Sequence, residues 1–215
     1  MRITLNTTLH RFLGAAVIAL AVAGCASDGK KTGGNTQFDF GPMSAPALPA
    51  PPASPAAPPL AAVIVMDATG SPTFENERMV YRLNYNDPLQ ARTYANSRWS
   101  ANPLILVTQR LKSRLAQAGI KVLSATDASV NIPELRIEVD DFSHAFASAT
   151  DSVGALTLRA SLFQSHALLD QKTFSRTTPA PSADAAGGAR ALTGSTDAVA
   201  ADIIAWLAGA SNRPR

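Results

Sequence analysis

The chain has 215 residues, 46% of them apolar and 16% charged, with 19 Lys and Arg against 16 Asp and Glu. Arg2 and Arg11 sit in an expected leader, so the remainder is nearly neutral, and nothing calls for nucleic acid or a strongly anionic partner. The single cysteine excludes an internal disulfide.

In chain order, Arg2 and Arg11 precede an apolar run from Phe12 to Ala21, which closes in Val22-Ala23-Gly24-Cys25. A charged start, an apolar middle and a small-residue exit are the parts of a secretory signal. The run is about half the ~20 residues a bilayer span needs. An aliphatic residue, two small residues and a cysteine make a lipobox, in which the thiolate is the nucleophile that takes the lipid. Residues 1–24 are therefore expected to be removed and Cys25 acylated, with palmitate among its chains. At about 0.8 kcal/mol per buried CH₂, several chains hold a protein firmly in a membrane. Ala26 and Ser27 follow where a retention aspartate would keep a lipoprotein at the inner membrane, which favours the outer membrane, facing the periplasm.

Residues 25–59 read as a lipidated, flexible linker rich in Pro and Ala. Eight prolines fall between Pro42 and Pro59, a composition that favours polyproline II. Fully extended, those 18 residues would reach roughly 55 Å and hold the folded part off the membrane. Residues 60–210 suit one domain with one core.

Within that domain the apolar run at 62–67 predicts a buried strand, and 78–85 and 91–99 predict two more. Asn102 is a good N-cap, Pro103 suits the first helical position and Gly119 a stop. Between them Leu104, Val107, Leu111, Leu115 and Ala118 form one apolar stripe. Residues 121–124 predict a short strand. Alternation at 135–140 and 156–162, followed by 168–176 after a tight turn near Ser165 and His166, predicts antiparallel neighbours. A last helix is expected from about Ala183 to Leu207, with a stripe through Ala185, Ala189, Leu192, Thr196, Val199, Ile203 and Trp206. Gly187, Gly188 and Gly194 would weaken it in isolation. The sum is an α+β domain: a mainly antiparallel, mixed sheet with two long helices packed on one face.

Residues that could carry chemistry are few. No P-loop, paired metal-ligand spacing or nucleophile elbow occurs, so no catalytic, cofactor or metal residue is expected. His10 falls in the leader, and His144 and His166 read as surface or turn residues. Asp140 and Asp141 would point to opposite faces of a strand. Trp99 and Trp206 read as core, and Arg98 as the exposed neighbour of Trp99.

The order of segments resembles the ABC-type transport auxiliary lipoproteins, the paraquat-inducible protein C type. The resemblance lies in the lipobox at Cys25, Phe38 to Gly41 (FDFG), the MVYRLNY strand, residues 97–103 (SRWSANP), ELRIEVDDFSHAF, GALTLRASL, and the final helix ending in Trp206-Leu207. It implies a non-enzymatic helper of an MCE (mammalian cell entry) system, partnered by an MCE-domain protein with its ABC permease and ATPase. Such systems move phospholipids or other lipids between the inner and outer membranes. A homo-oligomeric ring would suit a docking component. The alternative is an envelope lipoprotein that binds peptidoglycan or a secretion complex.

Overall fold

The computed structural model describes residues 35–43, 60–127 and 130–210. The expected signal, Cys25 and residues 44–59 lie outside the described residues. Eleven elements follow in order: β1 (Thr36–Phe38), β2 (Ala62–Val65), β3 (Thr69–Gly70), β4 (Arg78–Leu83), β5 (Ala91–Trp99), α1 (Pro103–Gln117), β6 (Lys121–Leu123), β7 (Glu134–Phe146), β8 (Ser152–Gln164), β9 (Ala167–Pro179) and α2 (Ala185–Ala210).

The α+β expectation holds, with one mixed sheet centred on β7. On one side β7 pairs antiparallel with β8, and β8 with β9. Ser165 and His166 at the β8–β9 turn both have positive φ (49° and 67°), as primed two-residue turns require. On the other side β7 is bordered by β2, β3 and β4, all parallel to it at successive levels. Outside these lie β6, parallel on β2, and β5, antiparallel on β4.

The expected alternation covers only part of β7 and β8. Leu135, Ile137 and Val139 are buried between exposed Arg136, Glu138 and Asp140, but Phe142 to Phe146 are buried without a break. A bulge between Val139 and Asp141 separates the two halves. It falls on the Asp140-Asp141 pair, so simple alternation does not apply there. Asp140 is exposed. Asp141 is half-buried, and that burial raises its carboxyl above the ordinary range against a hydrogen bond from Ser143 Oγ.

Both helices begin and bury much as expected. Asn102 Oδ1 accepts from Ile105 N at 2.9 Å, Pro103 opens α1, and Gly119 ends it at φ +84°. Leu104, Val107, Leu111 and Leu115 are buried, whereas Ala118 is exposed. Along α2 every residue of the stripe is buried except Trp206, which is half-buried against Phe174 and donates Nε1–H to Asp170 Oδ2 at 2.8 Å.

The first boundary of the domain needs correction. Asn35 already belongs to the folded unit. β1 pairs parallel with β5, Thr36 opposite Ser97 and Phe38 opposite Trp99, and Phe40 is buried in the core. The Pro-rich stretch 44–59 therefore joins two parts of the domain, Met43 and Leu60, rather than spacing the domain from Cys25. A three-residue strand is too short to show a period, and the prolines beside it dominate the composition.

The glycines of α2 permit close approach rather than merely weakening the helix. A Cβ on Gly188 would stand 2.4 Å from His144 Nδ1, and one on Gly154 of β8 would stand 2.4 Å from Leu192 N of α2. The second contact is with backbone, which cannot swing aside. Gly154→Ala is expected to destabilise the domain by about 3 kcal/mol in urea unfolding, by overpacking the α2–β8 contact.

Candidate functional site

The FDFG segment is where the incoming chain locks onto the domain. Phe38 O accepts from Ser100 N at 2.8 Å, and Asp39 Oδ1 accepts from Gly41 N at 2.7 Å, closing a turn in which Gly41 has φ +65°. Between them the Phe40 ring meets Trp99 edge-on at 5.7 Å and Phe142 at 6.1 Å. Its carbonyl accepts from Arg110 Nη1 at 3.4 Å.

That arginine belongs to a charged bracket between the helices. Arg110 reaches Asp197 of α2 through Nε (2.6 Å) and Nη2 (2.7 Å), and Arg114 reaches the same carboxylate through Nε (2.7 Å) and Nη2 (2.5 Å). Burial pushes the Asp197 carboxyl upward, but the hydrogen bonds and charges of the two arginines outweigh it and hold the group below its ordinary range. Sequence reading missed this bracket. Its signal was available: Arg110 stands three residues after Val107 and four after Leu106, on the apolar side of α1.

Open clefts flank the segment. One, of about 360 Å³, lies between Gln37–Gly41 and the small residues Ala186, Ala189 and Thr193 of α2, with Arg190 at its edge. The other, of about 310 Å³, lies between Asp39–Gly41 and the Leu106–Ser113 side of α1. Among the described residues no three His, Cys, Asp or Glu side chains gather as metal ligands would. No described helix is long and apolar enough to cross a membrane.

His144 corrects the surface reading. It is fully buried: Nδ1 is 2.8 Å from Tyr94 Oη and Nε2 2.9 Å from Ser152 Oγ. The signal was its period-two spacing with Phe142 and Phe146. Burial lowers its pKa to about 4, against the charge of Asp184, so the ring stays neutral in the fold. Burial also raises the Tyr94 hydroxyl, with the charges of Tyr81 and Asp184 adding to it, so that group stays protonated. Ser152 is itself buried and Tyr94 half-buried, so the trio is a largely internal polar cross-brace between β5, β7 and β8. His166 sits exposed at the β8–β9 turn, as expected. Trp99 is fully buried, and Arg98 is partly exposed beside Glu77.

Residues 44–204 match the family described as "ABC-type transport auxiliary lipoprotein component", which spans most of the folded chain. The chain belongs to that family. Protein XCC0632 from Xanthomonas campestris, described under DUF330, has a similar fold: TM-score 0.64 and 20% identity over 74% of this chain and 90% of that one. An uncharacterized protein of solved structure matches with TM-score 0.62 and 12% identity, over 81% of this chain and 99% of that one. No curated protein matches the chain. The auxiliary-lipoprotein match begins at residue 44, so β1 and Phe40, which complete this domain's core, precede it.

Two measurements check the interior of this auxiliary lipoprotein. Asp197→Asn leaves two largely buried guanidinium groups facing each other and should cost roughly 2–3 kcal/mol in urea unfolding. That is less than for a fully buried pair, since 26% of the Asp197 side chain is exposed. The second is pH dependence. With the His144 pKa at about 4 in the fold and near 6.5 unfolded, the unfolded chain binds the extra proton between those values. Stability is therefore full above pH ~6.5 and should fall by roughly 3 kcal/mol as pH drops to ~4. In His144→Gln, thermal unfolding across that window should lose most of this slope.

Proposed function

We propose that this chain is a lipid-anchored, non-enzymatic accessory of an MCE-type ABC transport system, held in the envelope by Cys25. The observation that carries this reading is the family match over residues 44–204. The lipobox at residues 22–25 supports the anchor, and Ala26 and Ser27 support an outer-membrane destination facing the periplasm. In this reading the cargo is phospholipid or another envelope lipid. The permease and ATPase supply the energy, and this domain supplies attachment to an MCE-domain protein.

The fold suits attachment better than turnover. Its buried polar groups are spent on cross-bracing: Arg110 and Arg114 on Asp197, and His144 on Tyr94 and Ser152. The open clefts beside FDFG offer surface relief for a protein partner, with a backbone segment and small helix residues along their walls.

Crosslinking in intact envelopes, followed by pull-down of the tagged protein and mass spectrometry, tests the reading. Recovery of an MCE protein with its permease and ATPase is the expected result. Recovery of peptidoglycan-binding or secretion proteins without a transporter subunit would overturn it.

A further inference from the structure

We infer that β9 pairs edge to edge with β9 of a second copy of this chain, in one antiparallel register centred on Thr173. The inference stands apart from the transporter reading and adds to it a surface for self-association.

β9 is the longest open edge of the sheet among the described residues. It pairs with β8 alone, over Ala167–Pro179, whereas the edge strands β1 and β6 have three residues each. The free side of β5, over residues 91–96, is shorter, and the pairing of that strand with β4 is itself irregular. Native edges are blunted by prolines and bulges. In β9 these lie only at the ends. Pro179 closes one end, and at the other a register shift leaves Leu169 unpaired between Leu168 and Asp170. Residues 170–178 run uninterrupted between them.

Which backbone groups face outward follows from the ladder. Ala180 N donates to Ser152 O, and Pro179, opposite Val153, has no N–H to give. Alternation along the antiparallel pair then turns the N–H and C=O of Lys172, Phe174, Arg176 and Thr178 toward β8. Those of Gln171, Thr173, Ser175 and Thr177 point outward, and all four residues are exposed. Gln171 N donates to Asp170 Oδ1 at 2.9 Å, a local bond for an N–H outside the ladder. Among the described residues no strand or side chain pairs with the other three N–H groups.

Charge selects the occupant and the register. Outward groups must meet outward groups, so a two-fold axis can pass only through a residue position. Centred on Thr173, each Asp170 stands opposite Arg176 of the second copy, and each Lys172 opposite Phe174. Centring on Lys172 or Arg176 sets two like charges face to face, and centring on Phe174 sets Lys172 opposite Arg176; like charges directly opposite are destabilising. Centring on Ser175 sets Gln171 opposite Pro179, which has no N–H to return. Centring on Gln171 puts the bulge at Leu169 opposite Thr173. Lys172 does not bar the approach, because its Nζ lies back over the ring of Phe174 on its own strand, 5.3 Å from the centroid.

The helix above the edge leaves room for the pairing. Ser195 Oγ donates to Gly154 O of β8 and lies 2.9 Å from Thr178 Oγ1 of β9, so α2 sits over the seam between the two strands. At ~4.8 Å per strand, two such helices stand about 10 Å apart across the two-fold. That is a helix-packing distance. The β9 side of α2 carries Gly194, Ala198, Ala205 and Gly209, so no large side chain fills the space between the helices.

The test is cysteine crosslinking of the whole chain in intact cells, oxidised with copper phenanthroline and read on non-reducing gels. The wild-type chain, with Cys25 as its single cysteine, is the baseline. Thr173→Cys faces itself at about 5.5 Å between Cα atoms, within disulfide range. Ser175→Cys stands opposite Gln171, and its own mate is roughly 13 Å further along the strand, out of range. The expected result is a main band at twice the monomer mass for Thr173→Cys and the wild-type pattern for Ser175→Cys. Separately tagged copies carrying Gln171→Cys and Ser175→Cys should form the dimer together. An unchanged urea midpoint for each variant shows the fold intact. Equal crosslinking at 173 and 175, or none at either, overturns the pairing. A Thr173→Cys band joined to a different protein assigns the edge to that protein's strand and overturns it as well.

Discussion

Phe40 packs against both Trp99 and Phe142, which also touch each other at 5.5 Å, and the remaining features follow from this three-ring contact. It turns a fragment that composition assigns to a linker into part of the core, and it sets where the chain enters the fold. Once Phe40 is seated, β1 must lie along β5, and Arg110 finds a carbonyl to bond in addition to Asp197. The chain from Cys25 then has only nine residues before the domain begins. The longer Pro-rich stretch becomes a connection between two points of one folded body. What looked like a long spacer is a short leash and a separate internal insertion.

The interior explains how a small domain tolerates so many buried polar groups. Ser195 Oγ donates to Gly154 O at 2.7 Å, and Thr108 Oγ1 donates to Leu104 O and accepts from Ala68 N. Among the described residues each buried side-chain donor or acceptor has a partner, which matters more than the modest net gain of any one bond. Gly154 and Gly188 let α2 approach until such short side chains can reach across. Sheet, helix and polar braces are in this sense one arrangement: widening the helix–sheet gap would break several bonds at once.

Much of this was legible in the sequence, and the failures have physical causes. The cap at Asn102, the stop at Gly119, the tight turn at Ser165-His166 and the antiparallel run through β7, β8 and β9 follow local rules, and local rules sufficed. The parallel seating of β2, β3 and β4 on β7 did not show, because nothing in a strand's own residues names its neighbour. His144 and Arg110 were misread or missed since polar residues on buried faces look like surface until their partners, Tyr94, Ser152 and Asp197, are brought in from distant segments. The family resemblance was legible in ordered short stretches, and the match over residues 44–204 agrees with it.

The role of Phe40 can be tested directly through stability. Phe40→Ala in the otherwise complete protein, followed by urea unfolding, should lose about 3 kcal/mol, as a truncated core aromatic does. That result would place residues 36–41 inside the cooperative unit and fix the leash at nine residues. An unchanged midpoint and slope would mean that this segment rests on the domain without supporting it, and its place in the core would have to be abandoned.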